Sequence, residues 1–98
     1  MIEAEIRKRA IEILEGEGYV TWFPYTNRFA AEKDIFGFAD IIAGRGSKLK
    51  LIQITEYSHT SHRVKKVKET MARKRLTLKD VEVWAWHNGH KRFMITKI

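Results

Sequence analysis

The chain contains no cysteine. That excludes disulfides, a cysteine nucleophile, thiolate zinc sites and iron–sulfur clusters. Proline occurs once, and no low-complexity stretch or internal repeat is present. No apolar run approaches the length of a membrane span. The start, Met1-Ile2-Glu3-Ala4-Glu5, has no basic flank leading into a hydrophobic run. It therefore does not read as a secretory signal, and the expectation is a cytoplasmic chain. Four histidines stand at positions 59, 62, 87 and 90, none in a His-Glu-x-x-His arrangement. His59 and His62 could meet on one helix turn, but two ligands fall short of a zinc site.

The composition is that of a folded domain: 44% of the 98 residues are hydrophobic and 11% aromatic. This length suits one domain, residues 1–98. The charge is lopsided. Lys and Arg number 19 against 12 Asp and Glu, a net +7. Residues 1–49 hold seven basic and eight acidic side chains, whereas residues 50–98 hold twelve and four. Residues 60–75 alone carry seven basic groups and one Glu. Such focused positive charge suits a polyanion, most simply nucleic acid. A solubilising face is the plainer alternative.

Hydrophobic spacing orders the chain. Ile2, Ile6, Ala10, Ile13 and Leu14 recur at helical intervals and predict a helix over 3–15, ended by Gly16 and Gly18. Tyr19 to Phe23 are aromatic and β-branched, a short strand stopped or placed at an edge by Pro24. Residues 26–34 read as a loop. Phe38 to Ala43 and Leu49 to Thr55 are predicted strands around Gly44-Arg45-Gly46-Ser47, a hairpin signal. A register centred on Gly46-Ser47 sets Ile42 opposite Leu51, Asp40 opposite Gln53 and Phe38 opposite Thr55. Residues 60–75 predict a second helix, with Val64, Val67 and Met71 inward and Arg63, Lys66, Arg73 and Lys74 on exposed faces. Thr60 or Ser61 could cap it. Val81 to Trp86 and Arg92 to Ile98 form a last pair of strands around Asn88-Gly89. A two-residue turn there would set Trp84 opposite Phe93 and Val83 opposite Met94. The order is α-β-β-β-α-β-β.

Two residues invite chemistry. Asp40 is a carboxylate amid strand residues, where burial without partners is expensive. Gln53 lies across from it and shares a face with Thr55, and its amide oxygen can bind a cation weakly. A strand-end hydrogen bond, an ion pair or a satisfied polar pair would explain both without any activity. Lys50 points to the opposite face, away from Asp40.

The quoted segments resemble the PD-(D/E)XK nuclease superfamily. They are Glu17-Gly18-Tyr19-Val20 after the first helix, Phe38-Ala39-Asp40-Ile41-Ile42-Ala43-Gly44, and Leu51-Ile52-Gln53-Ile54-Thr55. Residues 1–56 most resemble archaeal Holliday junction resolvases. They are also similar to small phage proteins of the same fold with a Gln-x-Thr motif. The resemblance implies an α/β fold with a restriction-endonuclease-like core, a mixed central sheet flanked by helices. It places the family's metal-binding Asp on Asp40, its second acidic ligand on Gln53 and its catalytic Lys on Thr55. The first-helix Glu of the family falls on Arg7, so Glu3, Glu5 or Asp34 would supply the missing carboxylate. Arg63, Lys65 or Lys66 would supply the missing cation. The implied cofactor is Mg²⁺ or Mn²⁺, bound at Asp40 and Gln53.

Phosphodiester hydrolysis needs a nucleophilic water and charge stabilisation on phosphate, which a carboxylate-held metal ion supplies. The expected activity is metal-dependent cleavage of DNA, including branched DNA such as Holliday junctions. Such a resolvase would be a homodimer with two active sites, in a virus-encoded case acting in the host cytoplasm. Expected DNA contacts are Arg28, Lys33, His59, Arg63, Lys65, Lys66 and Lys74. Thr55 and the displaced Glu keep a second expectation open: a catalytically decayed nucleic-acid-binding protein on the same fold. A structural, partner-binding protein is the third. Trp84, Trp86 and Phe93 read as core or dimer contacts, and Trp22 and Phe23 as packing.

Overall fold

The computed structural model describes residues 2–24 and 34–98. Helix α1 spans Glu3–Gly16, strands β1 Val20–Trp22, β2 Ile41–Arg45 and β3 Lys48–Glu56 follow, then helix α2 Thr60–Arg73, β4 Val81–His87 and β5 Arg92–Lys97. The five strands form one mixed sheet in the order β1-β2-β3-β4-β5. β3 and β4 are parallel, joined by a single 3₁₀ turn at Tyr57–His59 and by α2, and the other neighbours are antiparallel. Among the described residues no helix is long and apolar enough to cross a membrane.

Each helix covers one face. Ile6, Ala10 and Leu14 of α1 pack on Ile41, Ala43, Ile52, Ile54, Trp84 and Trp86. Val67 of α2 packs with Leu51, Val81 and Val83, closed by Phe38. The strand alternation explains the split, since odd and even positions of one strand face opposite layers. α1 stops where Gly18 takes φ +90. There Tyr19 N–H bonds Leu14 O and Gly18 N–H bonds Glu15 O, a Schellman closure. On the same face Lys50 pairs with buried Glu82 at 3.3 Å, and Trp84 Nε1 donates to Glu82 Oε1 at 2.9 Å.

The β2–β3 hairpin has the expected register, with Ile42 opposite Leu51 around Gly46-Ser47. Gly46 has φ +60 and Ser47 does not, the pattern of a type II′ turn. The strand itself is shorter than the pattern implied. It begins at Ile41, because Phe36 (φ 54) and Gly37 (φ 83) turn the chain. Ile35 and Ala39 close that turn by exchanging backbone bonds of 2.8 and 2.9 Å. Phe38 is thus buried in the α2 layer and is not paired with Thr55.

The last hairpin also departs from expectation. Trp86 faces Phe93 and Trp84 faces Ile95, a shift of two residues. The loop holds Asn88 to Lys91, and Lys91 (φ 50) makes the left-handed turn instead of Asn88 and Gly89. Side chains hold this longer loop: His87 Nδ1 accepts from His90 N–H at 3.0 Å, and Trp86 Nε1 donates to Asn88 Oδ1 at 3.0 Å. Trp84 and Trp86 are core, both packed on Phe93 with ring centroids 5.3 and 5.1 Å away. They are therefore not free as a dimer surface. Trp22 and Phe23, expected to pack, are exposed at the sheet edge, and Ile13 of α1 and Ile2 just before it, expected on the apolar face of the helix, are exposed as well. His59 precedes α2 without a side-chain cap bond, and Thr60 Oγ1 instead donates back to Tyr57 O.

Candidate functional site

Asp40 stands just before β2, with its N–H bonded to Ile52 O at 2.8 Å. That bond holds the register one step past the strand and sets Asp40 beside Gln53. Gln53 Nε2 donates to Asp40 Oδ2 at 2.7 Å and to Ile54 O at 2.9 Å. Ile54 N–H also reaches Asp40 Oδ2, at 2.8 Å. One carboxylate oxygen is therefore fixed by two donors. Both acceptors of the Gln53 amide are oxygens, which orients its NH₂ toward Asp40. The expected Asp40–Gln53 pair is present and buried.

Burial pushes the Asp40 carboxyl up to about 7, a rise that the Ile54 N–H opposes. The nearby charges of Asp34 and Glu3 push it further up, and Arg63 pulls it down. A carboxyl so placed is poised between its two forms near neutral pH.

These groups line one cavity of about 360 Å³. Glu3 comes from the first turn of α1, Asp34 from the segment before β2, and Gln53, Thr55 and Glu56 from the carboxyl end of β3. His59 enters from the 3₁₀ turn and Arg63 from the first turn of α2. The cavity thus sits outside the carboxyl end of a parallel strand, where open α/β sheets commonly bind ligands.

The structure brings Glu3, Asp34, Asp40, Gln53, Thr55, His59 and Arg63 together. Glu5 does not line the cavity and is exposed. Glu3 lies three residues before buried Ile6 and so shares its helix face, while Glu5 does not. Lys65, Lys66 and Lys74 are also outside the cavity and exposed. Lys65 pairs with Glu69 at 4.0 Å, and Lys74 Nζ donates to Phe36 O at 2.8 Å. Arg63, expected on an exposed face, is half-buried. It stands four residues before buried Val67, and that helical phase carries it inward. Its Nε is buried and makes no hydrogen bond among the described residues. Glu56 is a wall residue that the alternation pattern assigned to no role; its place at a strand end above the Asp40 pair was the available signal. Arg28 and Lys33 lie outside the described residues.

The donor set suits a hard cation. Glu3, Asp34, Asp40 and Glu56 offer carboxylate oxygens around one cavity, whereas Gln53, expected to turn its amide oxygen to a cation, turns its NH₂ to Asp40 instead. Among the described residues no three His, Asp or Glu side chains close on a common point. Mg²⁺ tolerates such a sparse set, because it keeps several waters and needs one or two carboxylates plus substrate phosphate oxygens.

Comparison with protein-family models, curated proteins and solved structures finds no match.

Proposed function

We propose that this chain is a divalent-metal-dependent endonuclease acting on the DNA backbone, built as a restriction-endonuclease-like domain of the PD-(D/E)XK type. The observation that carries this reading is the single cavity joining Asp40, Gln53, Glu3 and Asp34 to Arg63 at the foot of a basic helix. Asp40 would hold Mg²⁺ or Mn²⁺ through the oxygen not occupied by Gln53 and Ile54, with Glu3 or Asp34 as a second carboxylate. The bound ion would supply an activated water and offset charge on the phosphate.

The protein's own groups do the rest. Gln53 and the Ile54 amide fix the Asp40 carboxylate, so its rotamer is set before substrate arrives. The Arg63 guanidinium faces the same cavity and binds the scissile phosphate, filling the role that Thr55 cannot. His59 at the rim can hold a proton for the leaving oxygen. Exposed Lys65, Lys66 and Lys68 on α2 hold the flanking backbone. Junction resolution would need two such sites, which a chain of 98 residues supplies as a symmetric dimer.

Four-way junctions, flaps, duplexes and single strands incubated with Mg²⁺ or Mn²⁺ test the reading. The expected result is nicking of at least one substrate, stopped by a chelator, with a dimeric mass by light scattering on junctions. The second reading, a binding protein on a decayed nuclease fold, is favoured by Thr55 in the place of a catalytic Lys. Tight DNA binding with no nicking of any substrate would establish that second reading instead.

A further inference from the structure

A second cavity, of about 250 Å³, adjoins the first and shares Glu56 with it. It lies at the carboxyl ends of the parallel pair β3 and β4, between the 3₁₀ turn and the last hairpin loop. Tyr57 forms one wall and is 49% exposed. Its ring centroid is 4.5 Å from that of His87, which is 4.3 Å from His90. Three rings thus run in a row along the surface.

This row is held in place. His87 Nδ1 accepts the His90 amide, and Asn88 Oδ1 is engaged by Trp86 Nε1. A Cβ at Gly89 would stand 3.0 Å from the His87 ring, so the loop packs closely on that ring and a larger residue there would displace it by a few tenths of an ångström. The rings are preorganised at an open surface, which lowers the ordering cost of binding a flat ligand.

The charge of the cavity selects the ligand. Among the described residues no Lys or Arg lines it, and Glu56 is the acidic wall residue. A phosphate finds no cation among these wall residues, whereas a neutral aromatic ring with amino donors on its edge finds an acceptor in Glu56. Ser58 and the Asn88 NH₂ supply further polar groups at the rim. We propose that this cavity binds one unpaired nucleobase, stacked on Tyr57, from the strand whose backbone passes the Asp40 cavity. The proposal rests on the nucleic-acid reading of that cavity and adds to it. Glu56 accepts from the base amino group, as carboxylates do from cytosine N4. A base inside a duplex cannot offer its face to Tyr57, so the subsite selects single-stranded or locally opened substrate.

The test is binding in the presence of a chelator, so that it does not depend on cleavage. The probes are a short single-stranded oligonucleotide carrying 2-aminopurine and its matched duplex. Tyr57→Ala should weaken single-strand binding by about 5- to 150-fold, the span of base–aromatic stacking, and leave duplex binding nearly unchanged. Tyr57→Phe should keep both affinity and 2-aminopurine quenching, and melting curves should show all three chains folded. Single-strand affinity and quenching unchanged in Tyr57→Ala would overturn the subsite, even if the protein cleaves DNA. Loss on Tyr57→Ala in a protein that never cleaves would support the subsite while the nuclease reading fails. A chain that binds neither probe would overturn both.

Discussion

Replacing Asp40 with Asn should stabilise the protein above neutral pH. In the folded chain the Asp40 carboxyl titrates at about 7, against 3.8 for an unperturbed Asp. Between those values the folded state keeps a proton that the unfolded chain has lost. Raising the pH therefore favours unfolding. The stability associated with this group is fully present below about pH 4, falls through the interval and levels off above about pH 7. Three units at about 1.36 kcal/mol each give a loss of about 4 kcal/mol. Asn keeps the shape and an oxygen that can accept from Gln53 and Ile54, but carries no charge to desolvate. Urea unfolding of both proteins at about pH 4.5, 6 and 8 isolates the effect, because to first order every other titrating group is common to the two. The stability difference, variant minus wild type, should grow by several kcal/mol from the lowest pH to the highest. In a domain of this size each kcal/mol corresponds to about 4–8 °C in Tm. Excess Mg²⁺ at the highest pH should narrow the gap by stabilising only the wild type. A pH-independent difference, or a variant that loses ground as pH rises, would refute the burial argument.

Arg63→Ala should lower cleavage by about 10²–10³-fold, the usual effect of removing one charge-stabilising donor. Thr55→Lys in that background should restore part of the rate in a gel cleavage assay. Lys66→Ala and Arg73→Ala, seven residues apart on one exposed helix face, should each reduce the salt slope of duplex binding by about 0.9 if they contact phosphate, measured by anisotropy across a salt series. Glu82→Ala removes the partner of half-buried Lys50 and leaves the buried Trp84 indole N–H unpaired, and denaturant titration should show a loss of about 1–3 kcal/mol.

Much of the site was readable before the fold. The β2–β3 register followed from period-two alternation about Gly46-Ser47, and with it the Asp40–Gln53 pair. Helical phase distinguishes Glu3 from Glu5, because only Glu3 shares the face of Ile6. The same phase places Arg63 inward, four residues before buried Val67, yet its charge argued for solvent. The rest depended on side-chain contacts that local patterns do not encode. Phe36 joins Gly37 in a left-handed conformation that a phenylalanine rarely takes, and that turn cut β2 short. The last hairpin slipped by two because His87 and Asn88 bond within the loop, overriding the Asn-Gly turn preference. The exposed ring row of Tyr57, His87 and His90 joins residues distant in sequence, so only the parallel pairing of β3 and β4 brings it together.

The most direct measurement of the central claim is a single-turnover cleavage rate for wild type and Asp40→Asn, purified in parallel and assayed on the same end-labelled DNA with Mn²⁺. Asp40 is taken to hold the metal and not the DNA, so the variant should bind with near wild-type affinity and show no cleavage above background. Equal rates in the two proteins would contradict the account and place any cleavage elsewhere.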